Sequence, residues 1–268
     1  SGMNACGYSD WVTREMAFEV ALILTESEDR EVQLLIDAPG DGLNFSFYSR
    51  ASGSSEWTRH VSGCLDVETC DEMSRSGKKS LASIRKILPK RQLESGLNFY
   101  EELEDRGVQL GQSVRWIEQV WSKEGEALAR FRPALASEKK GAFGIPFHPG
   151  VWDACAQLFH ATLDGKVLSD SSFMVTEMGR VSVRDIEAET PLWCHARSTG
   201  HPDGDGILEG EFVLYTDRGE VVAYSRGYRM KELTLAHKKA LSESVKPNGS
   251  GLDTVLLNSL LEAPSSSV

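Results

Sequence analysis

The stretch that decides the fold is His148-Pro149-Gly150-Val151-Trp152-Asp153-Ala154-Cys155-Ala156-Gln157-Leu158-Phe159-His160-Ala161-Thr162-Leu163. His-Pro-Gly opens a helix, since proline at the first helical position presets φ and forfeits no hydrogen bond. From Val151 to about Leu163 the apolar residues Val151, Trp152, Ala154, Cys155, Leu158, Phe159 and Ala161 cover most of the circumference. A helix that is apolar nearly all round belongs in a core. Two polar side chains interrupt it, Asp153 and Gln157, four residues apart and so on the same face.

Strand signals lie on both sides of this helix. Downstream they cover 173–175, 179–183, 192–198, 207–216 and 220–233, with Asp217-Arg218-Gly219 as the turn before the last. Upstream, residues 11–66 read as a meander: Phe18, Val20, Leu22 and Leu24 alternate, as do Val32, Leu34 and Ile36, then Phe45, Phe47 and Tyr48 follow Pro39-Gly40-Asp41-Gly42. Ser52-Gly53-Ser54-Ser55 turns into the run from Trp57 to Gly63. A helical pattern begins near Ser95, with Phe99, Tyr100 and Leu103 on one face, and stops at Arg106-Gly107. Strands follow over 113–121 and 127–131.

A buried helix wrapped by a long antiparallel sheet is a hot-dog arrangement, so the expected class is α+β. The expected organisation is an incomplete first half over 10–66, a linker over 67–94, a second half over 95–235, and a tail over 236–268. In that tail a Ser, Gly and Asn-rich stretch precedes a short amphipathic pattern at Leu252, Val255, Leu256, Leu257 and Leu260.

Composition excludes several classes. The chain has 268 residues, is 40% hydrophobic and 26% charged, and carries a net charge of -11. That charge repels a phosphate backbone, so no nucleic acid partner is expected. No apolar run reaches the roughly 18 residues needed to span a bilayer, and the N-terminus lacks a signal-peptide pattern, so no membrane partner and a cytoplasmic location are expected. Ser1-Gly2 reads as a cleavage remnant. Five cysteines without CxxC spacing predict free thiols rather than a metal or disulfide framework, and no metal or other cofactor is expected.

Two segments carry a family likeness. Phe99-Tyr100-Glu101-Glu102-Leu103-Glu104-Asp105-Arg106-Gly107-Val108-Gln109-Leu110-Gly111-Gln112-Ser113-Val114 resembles the FYxxLxxxGxxxGPxF segment of polyketide synthase dehydratases. The segment from His148 to Gln157 is similar to that family's HPxxxDxxxQ motif, and Trp116 to Trp121, followed by 125–129, is also typical. The resemblance implies a double hot-dog fold over residues 11–234 and a dehydratase-type domain acting on 3-hydroxyacyl chains carried by the phosphopantetheine of an acyl carrier protein. Its implied partners are that carrier, neighbouring synthase domains and a second copy in a homodimer. Asp153 becomes the catalytic acid and Gln157 its support, while His148, Leu110, Gly111, Val114 and Trp152 fall on the substrate-binding wall.

The departures matter as much. Gln112 stands for the family's proline and Val114 for its aromatic residue. The histidine of HxxxGxxxxP, the base in the family, is matched by none of His60, His148, His160, His195, His201 or His237. Impaired dehydration is therefore one expectation, and a non-catalytic scaffold or branching domain that positions the acyl chain is the other. His148 reads first as the start of the helix, and His60 is the next candidate base. Asp153 in the first turn of a helix would also be favoured by the dipole alone. Phe147, Trp152 and Phe159 are the local apolar groups that would raise its pKa. Gly107 and Gly111 serve either as turn glycines or as a backbone approach to the thioester. The basic run over 75–91 is either a solvated face or a landing site for the acidic carrier.

Overall fold

The computed structural model describes residues 11–22, 24, 29–38, 42–67, 80–88, 94–105, 108, 110–134, 148–163, 172–184 and 191–233. Among these residues eleven strands, numbered in chain order, form one antiparallel sheet in the order β2-β3-β4-β1-β8-β11-β10-β9-β7-β6-β5. The first four are β1 (Trp11–Phe18), β2 (Arg30–Asp37), β3 (Leu43–Ala51) and β4 (Thr58–Val67). After helix α1 (Leu81–Ile87) come β5 (Glu94–Ser95), helix α2 (Gly96–Asp105), β6 (Ile117–Lys123), β7 (Glu126–Phe131) and helix α3 (Pro149–Gln157). The chain then forms β8 (Ser172–Val183), β9 (Leu192–Ser198), β10 (Ile207–Thr216) and β11 (Val221–Leu233).

The two halves are joined edge to edge, because β1 pairs with β8 from Val12 opposite Ser182 to Ala17 opposite Glu177. The predicted boundaries hold for most strands of the second half, but four expectations change. Strand-like alternation past Phe18 does not extend β1, which carries Glu15 at φ 52 and shifts register after Arg14. The segments 173–175 and 179–183 are one twelve-residue strand. Residues 112–114 form a 3-10 turn, and β6 starts only at Ile117. The supposed linker contains α1, whose Leu81 and Ile84, with Leu88 just beyond, are buried against Leu128, Trp193, Val213, Tyr215 and Tyr224. Of the basic residues that made this stretch look like a linker, Arg85 and Lys86 lie exposed on a helix whose buried residues Leu81, Ile84 and Leu88 recur every three to four positions.

The sheet of the second half is therefore buried on both faces. One face carries α1, with Arg85 stacked 4.5 Å from the Trp193 ring and Trp121 stacked on the same indole at 5.6 Å. The other face holds α3 and its 3-10 continuation, Leu158–Thr162, over Ala127, Ala129, Cys194, Ala196, Phe212, Leu214 and Ala223. Small residues under the helix let it approach closely. A side-chain carbon at Gly210 would stand 2.3 Å from the Phe159 ring.

Strict alternation fails along one line across three neighbouring strands. Tyr224 packs beneath α1, whereas Tyr228, an even number of residues later, packs on the α3 side. The reversal occurs at Gly227, with φ 62, beside Gly179 of β8 and in line with Glu15 of β1. It turns Met16, Met178 and Tyr228 toward the helix that bears Asp153.

Among the described residues the first half shows no such core. Among its described residues only Val12 and Leu65 are buried hydrophobics, while Val32, Leu34 and Leu35 of the terminal strand β2 are 56%, 49% and 39% exposed. No described helix precedes α1. The turn at 39–41, the cap at 106–107 and the tail beyond 233 lie outside the described residues.

Candidate active site

The site is built on the N-terminal end of α3. His148 is its N-cap and Pro149 its first residue. The His148 Nδ1 accepts from the Gly150 N–H at 3.0 Å, and its ring lies 5.4 Å from that of Trp116. Trp116 is fixed in turn by its Nε1–H donating to the Ser113 carbonyl at 2.8 Å and by the Arg132 guanidinium 4.2 Å above it. Gly150 is required here, since a Cβ would come within 2.3 Å of the Ser113 carbonyl oxygen. The helix start is thereby held at a fixed distance from the 112–114 turn.

Asp153 is the fifth residue of α3, and no acidic residue occupies the first turn. The dipole explanation for an aspartate there does not apply. Gln157 Nε2 donates to Asp153 Oδ2 at 2.5 Å and to the Val114 carbonyl at 3.1 Å. Gln157 Oε1 accepts from the Tyr100 hydroxyl at 3.2 Å, and the Tyr100 oxygen accepts from the Ile117 N–H at 3.0 Å. α2, the 112–114 turn, β6 and α3 thus converge on one amide.

Asp153 is exposed to solvent, yet the atoms packed around it disfavour the anion: burial raises its pKa, and the hydrogen bond from Gln157 lowers it less. The apolar surroundings are an aromatic cluster in which Trp152 meets Phe212 edge-on at 4.9 Å and Phe159 stacks on Tyr228 at 5.0 Å. Burial also raises the Tyr228 hydroxyl, and the Asp153 charge raises it further. A carboxyl held by an amide can, once protonated, deliver that proton to a departing oxygen.

The other predicted residues are placed as follows. Val114 contributes its carbonyl, and the Leu110 carbonyl accepts from Arg115 Nε at 2.9 Å. Arg115 also pairs with Glu104 and lies 5.4 Å from the Tyr100 ring. Gly111 is exposed, has φ -71 and has open space where a Cβ would be, so its backbone does not require glycine. Trp152 is half-buried. Gly107 and Phe147 lie outside the described residues, as do 75–79 and 89–91 of the basic run.

His60 is buried at 4% exposure, with Nε2 2.7 Å from Ser49 Oγ and Nδ1 2.8 Å from the Val20 carbonyl. Both ring nitrogens are committed within the first half, which removes the solvent position that strand alternation allowed and with it the case for His60 as base. His195 is bound to Glu126 under the opposite face of the sheet. His160 lies two turns along from Asp153, beside Phe173. An open groove of about 690 Å³ between Glu19, Tyr48, Trp57 and Arg59 is confined to the first half. Sequence reading missed Tyr100 and Tyr228 as neighbours of Asp153. The aromatic pair Phe99-Tyr100 was visible, but nothing in its spacing marked the hydroxyl as a partner of an amide 57 residues away.

Among the described residues no group of three or more potential metal ligands is found, and no helix is long and apolar enough to cross a membrane. Cys64, Cys155 and Cys194 are free thiols.

The family model for the polyketide synthase dehydratase N-terminal domain matches residues 77–240, more than half of the chain, and the chain belongs to the polyketide synthase dehydratase family. Polyketide synthase ThaG of Burkholderia thailandensis is 32% identical over 131 residues, which is 48% of this chain and 2% of that protein. The chain thus spans a small fraction of this relative. Among solved structures, the dehydratase domain from the CurJ module of curacin polyketide synthase matches with a TM-score of 0.73 at 23% identity, covering 86% of this chain and 78% of that one. The dehydratase domain from the CurF module gives 0.69 at 17% identity, covering 85% and 78%. The dehydratase domain of PpsC from Mycobacterium tuberculosis, solved in complex with C12:1-CoA, gives 0.63 at 20% identity, covering 84% and 76%. The fold is the α+β double hot-dog that these domains share.

Proposed function

We propose that this domain receives a 3-hydroxyacyl chain, thioester-linked to the phosphopantetheine of an acyl carrier protein within a polyketide synthase, and that Asp153 is the acid of an impaired dehydratase site. The observation that carries the reading is the Asp153 carboxyl itself, held by the Gln157 amide on a helix whose opposite side is fully buried; burial raises its pKa. The acyl thioester bound to PpsC supports this ligand class.

In the step proposed, the Cα–H electron pair becomes the new C=C bond, the C3–O bond breaks, and the leaving hydroxyl takes the Asp153 proton and departs as water. The α-proton passes to solvent water, because among the described residues no contact of Asp153 involves a histidine and His60 is committed elsewhere. Positioned base catalysis contributes about 10²- to 10⁴-fold, so turnover is expected to be slow by that margin.

The committed ring nitrogens of His60 favour a second reading, in which the same site positions the chain without dehydrating it, as a scaffold or branching domain. Carrier-bound 3-hydroxybutyrate followed by mass spectrometry separates the two. Slow loss of water that disappears in Asp153→Asn supports the acid, equal loss in both proteins contradicts it, and binding without loss favours the second reading.

The carrier, adjoining synthase domains and a second copy of the chain are the partners proposed. The terminal strand β2, which exposes Val32 and Leu34 on one face and Leu35 on the other, is the surface through which a homodimer would form.

A further inference from the structure

We propose that Tyr100 is a positioning residue that, through the Gln157 amide, fixes which oxygen of Asp153 carries the transferable proton. The inference rests on the reading of Asp153 as the acid and deepens it.

The argument follows the hydrogens. The Tyr100 oxygen accepts from the Ile117 N–H at 3.0 Å, so its own hydrogen is directed to the neighbour on the other side, Gln157 Oε1, at 3.2 Å. Burial pushes the phenol up to about 12, which keeps that hydrogen in place across the range in which carboxyls titrate. An amide whose oxygen meets a fixed donor must turn its NH2 the opposite way, and here the two hydrogens meet the Val114 carbonyl and Asp153 Oδ2. Reversing the amide would set its oxygen against two acceptors at once. With Oδ2 accepting, the neutral carboxyl keeps its hydrogen on Oδ1. One phenolic hydrogen, on a different helix, thus orients the acid without touching it.

Among the described residues, few groups act electrostatically on this carboxyl. Tyr100 from α2 and Tyr228 from β11 both feel the Asp153 charge, as does Cys155 on α3 itself, while Arg115 lies against the outer side of the Tyr100 ring. None of the three that feel the charge ionises where a carboxyl titrates, so a change at Asp153 reports on the amide.

The test is the carboxyl titration of Asp153 by carbon NMR in the full chain. Tyr100→Phe should raise the midpoint by roughly half to one pH unit, because a donor to the ionised form is no longer held in place. Gln157→Leu should raise it similarly, and Tyr100→Phe added to Gln157→Leu should change nothing more. An unchanged midpoint in Tyr100→Phe, or a full second rise in the double variant, overturns the proposal. If Tyr100→Phe fails to fold, the wild type decides: the Gln157 side-chain N–H signals should move with the Asp153 titration, and flat signals overturn it. Neither readout needs turnover, so an oriented carboxyl in an inactive protein refutes only the acid reading.

Discussion

His195 Nε2 lies 2.8 Å from Glu126 Oε1, with both side chains buried beneath the face of the sheet that carries α1. Glu126 also meets Lys123 Nζ at 2.7 Å. Burial would raise the Glu126 carboxyl, but hydrogen bonds from Lys123 and His195 outweigh it and hold the group below the usual carboxylate range. This pair belongs to the fold, since it anchors β7 to β9 on the side of the sheet away from Asp153.

A carboxyl whose folded pKa is depressed contributes stability above its unfolded pKa, and that contribution is lost as pH falls through the folded value. Glu126→Gln should therefore cost about 1–3 kcal/mol at neutral pH and much less in acid. Denaturant melts at several pH values check this; a cost independent of pH would contradict it.

Asp153 has the opposite sign. Its raised folded pKa means that the native state favours the proton, so its contribution is fullest below the unfolded pKa and falls away as pH rises through the folded value. Asp153→Asn should match or exceed the wild-type melting temperature at neutral pH, and the difference should vanish in acid. A variant with no thermal transition would make Asp153 structural.

Helix α1 should prove integral to the second half. Ile84 is 1% exposed beneath it, and Ile84→Ala should cost about 2–5 kcal/mol by chemical denaturation. A loss under 0.5 kcal/mol would return this segment to the status of a linker.

Gly210→Ala should destabilise by about 1–3 kcal/mol through overpacking against the Phe159 ring, whereas Gly111→Ala, with open space around it, should be nearly neutral. Equal effects at both sites would contradict the packing described for α3.

What could be read in the sequence was what periodicity and short spacing encode. The all-round apolar pattern after His148 gave the buried helix, and the four-residue step from Asp153 to Gln157 gave the hydrogen bond between them. Glycines at positive φ, such as Gly53 and Gly219, marked turns between strands. What escaped depends on tertiary contact. α1 is seven residues long, and its charged face hid an apolar one until Trp193 and Tyr224 supplied the surface it covers. Tyr100 reaches Gln157 only because α2 and β6 fold over the start of α3. The reversal at Gly227 moves Tyr228 to the Asp153 side against the period of two that a strand pattern assumes.

The central claim is that the Asp153 carboxyl faces a thioester-linked 3-hydroxyacyl group, and a ligand titration followed by NMR tests it most directly. With a 3-hydroxyacyl pantetheine amide, whose α-hydrogen is less acidic than the thioester's, the carbon resonance of Asp153 should shift saturably, and Asp153→Asn should weaken binding. Saturable binding that leaves this resonance unmoved, or no binding of any acyl pantetheine, would contradict the account.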